Sequence, residues 1–294
     1  MPRARLGRWL PPLTLVLVTV VFGWTFVVVK DALAQYPVLP FLGLRFGIAG
    51  LLLLLLLRVW PGRVDWRVGG PIGVVLALGY LLQTQGMVTV QPGIAGLLTG
   101  LFVVFTPILD RLCFGVRVRP PTWIGVLVAL IGTALLTGLS IGFSLGDLFL
   151  VLAALCFAAQ ILLLSRAQGS PARLGLVQIL VCAIAFLALG ATGGLPYPAV
   201  PPSVLGAVLI TGVLASSLAV WAQTWAQQRL DASRAGLVLA GEPFFALLFA
   251  VLLAGERLQP PQLLGAVLLI GAILGHELFQ AGLRQGRRGR AGPC

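Results

Sequence analysis

Long apolar runs constrain the fold of this chain more than any other feature. Stretches of about 20 apolar residues recur along almost all of its length, and each is long enough to cross a ~30 Å hydrocarbon layer as a helix. A helix satisfies its own backbone hydrogen bonds in lipid, whereas irregular chain does not. The sequence therefore predicts an all-α membrane protein with ten transmembrane helices, at residues 10–29, 41–57, 70–88, 92–114, 122–139, 147–164, 174–189, 204–227, 233–254 and 261–278.

The second half of the chain repeats the first. A shift of 140 positions aligns residues 83–125 with residues 223–265 without a gap. Some identities in so apolar a sequence arise by chance, but a shared GxRxxPPxxxG frame is not hydrophobic filler. The identical positions include Gln83/Gln223, Thr84/Thr224, Gly115/Gly255, Arg117/Arg257, Pro120/Pro260, Pro121/Pro261 and Gly125/Gly265.

The net charge of +12 at first suggests a nucleic-acid-binding protein, but the position of the charges argues against it. The basic residues lie in short loops between apolar runs, where they set the orientation of a membrane protein. With ten helices, every Lys and Arg except Lys30, Arg45 and Arg257 falls on one side. We therefore expect a multi-pass protein of the inner (plasma) membrane with both termini in the cytoplasm, and no nucleic-acid partner.

Five helices in each half is an odd number, so the second half must run upside down relative to the first. The predicted parts are a cytoplasmic N-terminus (1–9), a first repeat (10–139), a second repeat (147–280) and a basic cytoplasmic tail (281–294) without order. In secondary transporters with such inverted repeats, the solute binds between the halves near the midplane. A cleavable signal peptide is the alternative for the first span, but its apolar core is too long for one.

The sequence of the helices also resembles a known family. The segments FGWTFVVVKDAL, LRFGIAG and GEPFFALLFAVLLAGERLQPPQLLGAVLLIGAIL are similar to the EamA family of the drug/metabolite transporter superfamily, over roughly residues 11–280. The chain departs from the family pattern at Val116, where many members carry Glu. The resemblance implies secondary transport of small metabolites, amino acids or drugs, often as export.

Glu242 is the strongest candidate for a functional residue. It lies about nine residues into the ninth predicted helix, so ~13 Å deep at 1.5 Å per residue. A charge at that depth costs at least ~2.5 kcal/mol on insertion scales, and such residues are usually functional. One interpretation is proton coupling. The alternative is a static, protonated side chain that satisfies backbone groups beside Pro243, which bends the helix.

Four charged residues are predicted near one membrane face. Lys30 and Arg45 lie near the outer ends of the first two helices, and Glu256 and Arg257 lie at the outer end of the ninth. They either bind a carboxylate or phosphate of the solute, for which Arg offers bidentate pairing, or form an outer gate or structural ion pair. The sequence favours the gate or ion pair.

Aromatic and amide side chains share one face on each of two helices related by the repeat. Spacings of three and four residues group them, which suits either the wall of a central cavity for a partly apolar solute or ordinary helix packing. The candidate solute-binding residues, with one from the first helix, are Trp24, Tyr80, Gln83, Thr84, Trp221, Thr224 and Trp225.

Catalysis has little support in the sequence. It contains no HExxH, GxSxG or glycine-rich phosphate motif, and its four cysteines form no CxxC pair, so we expect no enzyme, metal or cofactor. The predicted partners are the lipid bilayer, a small solute and, as one coupling ion, protons. The run from Gly125 to Gly132 also allows close helix contact within or between chains, including a homodimer. A non-transporting membrane scaffold or lipid-binding protein is the alternative to a transporter.

Overall fold

A computed structural model describes residues 2–90, 92–118, 120–137, 144–192, 198–254 and 259–290. Over these ranges the chain forms ten helices and no strand, as the apolar runs predict. Two of the helices consist of two segments each. The helices are α1 (Pro2–Leu33), α2 (Val38–Leu57), α3 (Arg63–Thr89), α4 (Pro92–Gly100 and Phe102–Phe114), α5 (Pro120–Thr137), α6 (Leu145–Arg166), α7 (Pro171–Ala191), α8 (Pro202–Gln227), α9 (Ala232–Leu239 and Glu242–Ala254) and α10 (Pro260–Arg290).

Most of these helices have the length and apolarity of membrane spans. Among the described residues seven helices satisfy both criteria, namely α1, α2, α3, α4, α6, α7 and α8. Two shorter apolar stretches, Pro120–Leu135 in α5 and Pro260–Gly275 in α10, lie between them and after them. The chain is therefore a multi-pass membrane protein. Its outer surface is apolar because it contacts lipid.

The helices extend beyond the predicted bounds at both ends of the chain. α1 begins at Pro2, and α10 continues to Arg290. The expectation of a tail without order is therefore wrong for residues 281–290. No proline lies between Pro261 and Pro293, so nothing in this stretch removes a helical hydrogen bond.

The loops gather at two opposite ends of the helix bundle. At the end that we call the basic end, Arg166 at the end of α6 pairs with Asp110 of α4. The guanidinium of Arg173 in α7 lies 3.5 Å from the Asp65 carboxylate of α3. The Gln228 amide after α8 donates to the Ala167 carbonyl at 3.0 Å. The loops 2–3, 4–5, 6–7 and 8–9 thus meet there.

Loops 1–2 and 7–8 meet at the opposite end. The Tyr36 hydroxyl in loop 1–2 donates to the Pro198 carbonyl in loop 7–8 at 3.0 Å. Ser203 of α8 donates to the Gln35 side chain, also at 3.0 Å. Lys30 of α1 reaches the end of α3, as described below. Helices α3, α7 and α8 therefore run from one end of the bundle to the other.

Helix packing follows the same pattern in both halves of the chain. α2 packs on α7, α4 on α9 and α5 on α10, while α3 packs on α6 and α8 packs on α1. If each helix is replaced by the helix five places further along, counting on from α10 to α1, the same five contacts result. The interruptions also correspond, because the shift of 140 positions places Leu101, between the segments of α4, on Gly241, between the segments of α9.

Candidate functional site

A cavity lies in the middle of the bundle, where the interrupted helices α4 and α9 face α1, α3, α6 and α8. Its volume is about 60 Å³, which confines an occupant to a small molecule. The wall is mainly aromatic and aliphatic, with amides, hydroxyls, one guanidinium and one carboxylate between the apolar groups. Such a mixture is typical of a small-molecule site, in which apolar contacts bind and a few polar groups orient the ligand.

Most residues of the cavity wall occur as repeat-related pairs. The shift of 140 positions relates the wall residues of α3 to those of α8, and those of α4 to those of α9. A shift of 135 relates α1 to α6. The pairs are Gln83/Gln223, Thr99/Leu239, Phe102/Glu242, Phe22/Phe157, Thr25/Gln160 and Phe26/Ile161.

Glu242 begins the second segment of α9 and lines the cavity. Because Glu242 lies in the first turn of this segment, the helix dipole favours a negative charge there. α1 crosses directly here, because a Cβ on Gly23 would lie 2.8 Å from the Glu242 carbonyl oxygen. Among the described residues, the Glu242 carboxylate has neither a hydrogen bond nor an ion pair, so no static partner satisfies it.

Arg45 of α2 supplies the positive charge of the cavity and is only 4% exposed. Its Nε donates to Ser216 Oγ at 2.7 Å, and its Cζ lies 5.0 Å from the centre of the Tyr80 ring. Ser216 belongs to a π-helical part of α8, Thr211–Ala219, an irregularity that is frequent at functional sites. No carboxylate of the described residues lies within ion-pair distance of the guanidinium. Glu256, the predicted ion-pair partner of Arg45, is not among the described residues.

Lys30 does not line this cavity. Its Nζ donates to the carbonyl oxygens of Met87 at 2.7 Å, Val88 at 3.2 Å and Val90 at 3.0 Å. These carbonyls belong to the last turn of α3, where no further backbone N–H is available to them. The ammonium therefore caps α3 and ties it to α1.

Replacing Lys30 with methionine is expected to lower the unfolding free energy by about 2 kcal/mol, because charge-assisted hydrogen bonds to the α3 carbonyls are lost. The melting temperature of the purified protein in detergent measures the effect. Lys30→Arg keeps the charge and several donors, and it should retain most of the stability. A melting temperature of Lys30→Met equal to that of the wild type would show that the cap does not contribute.

The predicted residues of α8 lie outside the cavity. Trp221 is 37% exposed, and Thr224 is fully buried, where it accepts a hydrogen bond from the Gln178 amide at 3.2 Å. Trp225 lies under Arg229, with 4.4 Å between its ring centre and the guanidinium carbon. Gln223, on the neighbouring face of the helix, lines the cavity instead.

The other predicted wall residues divide between α1 and α3. Tyr80, Gln83 and Thr84 of α3 line the cavity together. Trp24 of α1 instead packs its ring 6.2 Å from the ring of Phe249 in α9, while the next residue, Thr25, lines the cavity.

Several polar residues of the site did not emerge from the sequence. Thr99 and Gln160 line the cavity, and Gln160 donates to Gln178 of α7 at 3.1 Å. Both glutamines lie inside apolar runs, and both are 1% exposed or less. Burying an amide in a membrane span costs free energy, as burying the Glu242 carboxylate does, so such amides are rare. The position of these two glutamines inside apolar runs could therefore have pointed to the site.

Comparisons with known proteins agree with the fold. A profile of the EamA-like transporter family matches residues 9–138 and again residues 144–276. An uncharacterized transporter of Archaeoglobus fulgidus is 33% identical over 267 residues, covering 89% of this chain and 84% of that protein.

Two further similarities come from a bacterial relative and a solved structure. The uncharacterized inner membrane transporter YedA of Escherichia coli K12 is 27% identical, covering 89% of this chain and 90% of its own length. A crystal structure of a protein with 19% identity superposes with a TM-score of 0.75 over 90% of this chain and 96% of that one, which supports the fold. With both halves of the chain matched by one family, the protein belongs to the EamA-like transporter family.

Proposed function

We propose that the protein is a secondary transporter that binds a small solute in the central cavity and carries it across the membrane by alternating access. The observation that carries this proposal is the composition of the cavity wall. Its residues come in pairs from two halves of the chain, so the site is shared between them. An inverted 5+5 repeat places a solute site at such an interface near the bilayer midplane.

Three further observations support the inverted repeat. The main helix contacts recur when each helix is replaced by the one five places along, the interruptions of α4 and α9 correspond, and the family profile matches each half separately. Interrupted helices near the midplane leave backbone groups free to face a solute, and the surrounding protein shields them from lipid. A membrane scaffold needs neither an interior cavity nor an unpaired carboxylate.

The charges at the basic end support one orientation of the protein in the membrane. The Lys and Arg residues of loops 2–3, 4–5, 6–7 and 8–9 gather there, and such loops face the cytoplasm. Both termini then face the cytoplasm as well, in the inner (plasma) membrane. The family resemblance favours export as the direction.

The solute is a small molecule with an anionic group and an apolar body. Arg45 offers the cavity a cation without a carboxylate partner among the described residues, and an anionic group would satisfy it. Tyr80, Phe22, Phe26 and Phe157 provide apolar wall for the rest of the molecule. Glu242, whose carboxylate also has no partner in the described structure, is the group that would exchange a proton during the cycle.

A thermal-shift screen of the purified protein against amino acids, sugars, nucleosides and cationic drugs tests the proposal. A ligand that binds only the folded state stabilises it by about 2.7 kcal/mol at a hundredfold excess over Kd. We expect a rise in melting temperature with an amino acid or another anionic solute. Gln83→Trp, which fills the cavity, should abolish that rise.

Gln85→Trp is the matched control, because Gln85 lies two residues along the same helix and is exposed. It should leave the ligand-induced shift unchanged. An equal shift in Gln83→Trp and wild type would place binding outside the cavity. A panel without any hit would favour the scaffold or lipid-binding alternative.

A further inference from the structure

Three of the described amide side chains line the central cavity, and one of them is held in a fixed orientation by its neighbours. Gln83 of α3, Gln160 of α6 and Gln223 of α8 belong to the cavity wall. Gln160 is the most deeply buried of the three, with 1% of its surface exposed. An amide carries donors on one side and an acceptor on the other, so its orientation decides what it offers to a solute.

The orientation of Gln160 depends on that of Gln178 in α7, which is fully buried. Gln178 Nε2 donates to the Leu174 carbonyl oxygen at 3.1 Å and to Thr224 Oγ1 of α8 at 3.2 Å. The Thr224 hydroxyl donates its own hydrogen to the Val220 carbonyl oxygen at 2.7 Å, so it accepts from Gln178. Both neighbours are acceptors, and the amide nitrogen of Gln178 must therefore face them.

The amide oxygen of Gln178 is consequently turned toward Gln160. Gln160 Nε2 donates to this oxygen at 3.1 Å. The opposite orientation of Gln160 would bring two amide oxygens together, which is unfavourable because neither can donate. Oε1 of Gln160 is thus left as a buried acceptor, and it has no hydrogen-bond partner among the described residues.

This acceptor makes the two halves of the cavity chemically different. Thr25, the repeat mate of Gln160, donates its hydroxyl hydrogen to the Phe22 carbonyl oxygen at 2.7 Å, within its own helix. The first half contributes the Arg45 guanidinium to the cavity, and the second half contributes the neutral oxygen of Gln160. An acceptor buried without a partner is unfavourable, and a ligand that supplies a hydrogen bond removes that cost.

We infer that the solute carries a neutral hydrogen-bond donor in addition to its anionic group, and that Oε1 of Gln160 accepts from this donor. The inference rests on the proposed transport function and narrows the solute to an acid with a hydroxyl or amide N–H group, such as a hydroxy acid. A cationic donor would instead pair with the Glu242 carboxylate. Gln178 and Thr224 are positioning residues, which act by holding the Gln160 amide.

The test compares two anionic solutes with the same carbon skeleton, one with a hydroxyl group beside the carboxylate and one without it. α-Hydroxyisocaproate and isocaproate form such a pair, and lactate and propionate form a smaller pair. The Kd of each solute is obtained from the melting temperature of the purified full-length protein as a function of solute concentration. The readout is the ratio of the two Kd values, because a change that only alters the stability of the fold affects both solutes equally.

We expect the wild type to bind the hydroxy acid about tenfold more tightly than the acid without the hydroxyl, and Gln160→Met to bind both equally. Methionine has a similar length but no hydrogen-bonding oxygen. Thr224→Val should give an intermediate ratio, because Gln178 loses one of the two acceptors that orient it. Gln85→Met is the matched control, because Gln85 is exposed on α3, and it should keep the wild-type ratio.

Equal affinity of the wild type for the two members of each pair would overturn the inference and leave the cavity as the solute site. A preference that persists in Gln160→Met would also overturn it, because another group would then bind the hydroxyl. If Gln160→Met does not fold, a wild-type ratio in Thr224→Val has the same meaning. No binding of any of the four solutes would instead contradict the anionic solute of the transport proposal, and the inference with it.

Discussion

Glu242→Gln is expected to abolish accumulation of the solute driven by a proton gradient, reducing it to the background of empty liposomes. Glutamine has almost the same size and keeps a hydrogen-bonding oxygen, but it cannot bind and release a proton. Exchange of labelled for unlabelled solute across the membrane should continue, because exchange needs the site to reorient but not to change its protonation. The measurement is uptake into proteoliposomes with and without the gradient, using a solute that stabilises the protein.

The stability of Glu242→Gln separates the functional from the structural interpretation. A charge near the bilayer centre costs ~2.5–3.5 kcal/mol on insertion scales, so the melting temperature should stay the same or rise. Asp65→Asn is the control, because Asp65 caps α3 by accepting from the Gly62 N–H at 2.8 Å and pairs with Arg173. It should lower stability without uncoupling transport. Gradient-driven accumulation by Glu242→Gln would favour a uniporter or an exchanger without proton coupling.

Arg45→Met is expected to weaken solute binding by at least about 30-fold, which corresponds to ~2 kcal/mol for loss of one charge-assisted pair. The folded protein should tolerate the change, because replacing a buried charge by an apolar side chain of similar volume is often neutral or stabilising. Titration of the melting temperature with the solute measures both effects in one experiment. Solutes without an anionic group should be affected much less.

Two milder variants test how Arg45 acts. Arg45→Lys keeps the charge but loses the planar fork and the stacking on Tyr80, so binding should be intermediate. Ser216→Ala removes only the acceptor of the Nε–H bond and should have the smallest effect. If Arg45→Met failed to fold while Ser216→Ala folded normally, Arg45 would have a structural role instead.

The faces of the helices are the part of the site that the sequence predicted least well. Residues 221, 224 and 225 do share one face of α8, yet that face contacts α7 or lies exposed, and Gln223 lines the cavity. In a soluble protein an apolar stripe identifies the buried face of a helix. In lipid both faces are apolar, so periodicity indicates which residues share a face but not where that face points.

Contacts between residues that are far apart in the sequence could not be predicted either. Lys30 was a candidate for an outer gate, but its distance of 57 positions from Met87 gives no hint that it caps α3. The partner of Arg45 is Ser216, which a π-helical stretch of α8 brings to it. Such irregular helices arise from packing against neighbours, which no local pattern encodes.

By itself the sequence determined the all-α membrane architecture, the helix count and the family, because each depends on local properties. Apolar length makes a span, and a motif repeated in both halves can be recognised without coordinates. It also drew attention to Glu242, which lines the cavity, since a carboxyl inside an apolar run is conspicuous wherever the helix points. Only the tertiary structure decided which pairs of residues form the cavity. That depends on how the two halves pack on each other, which no local pattern of apolar residues encodes.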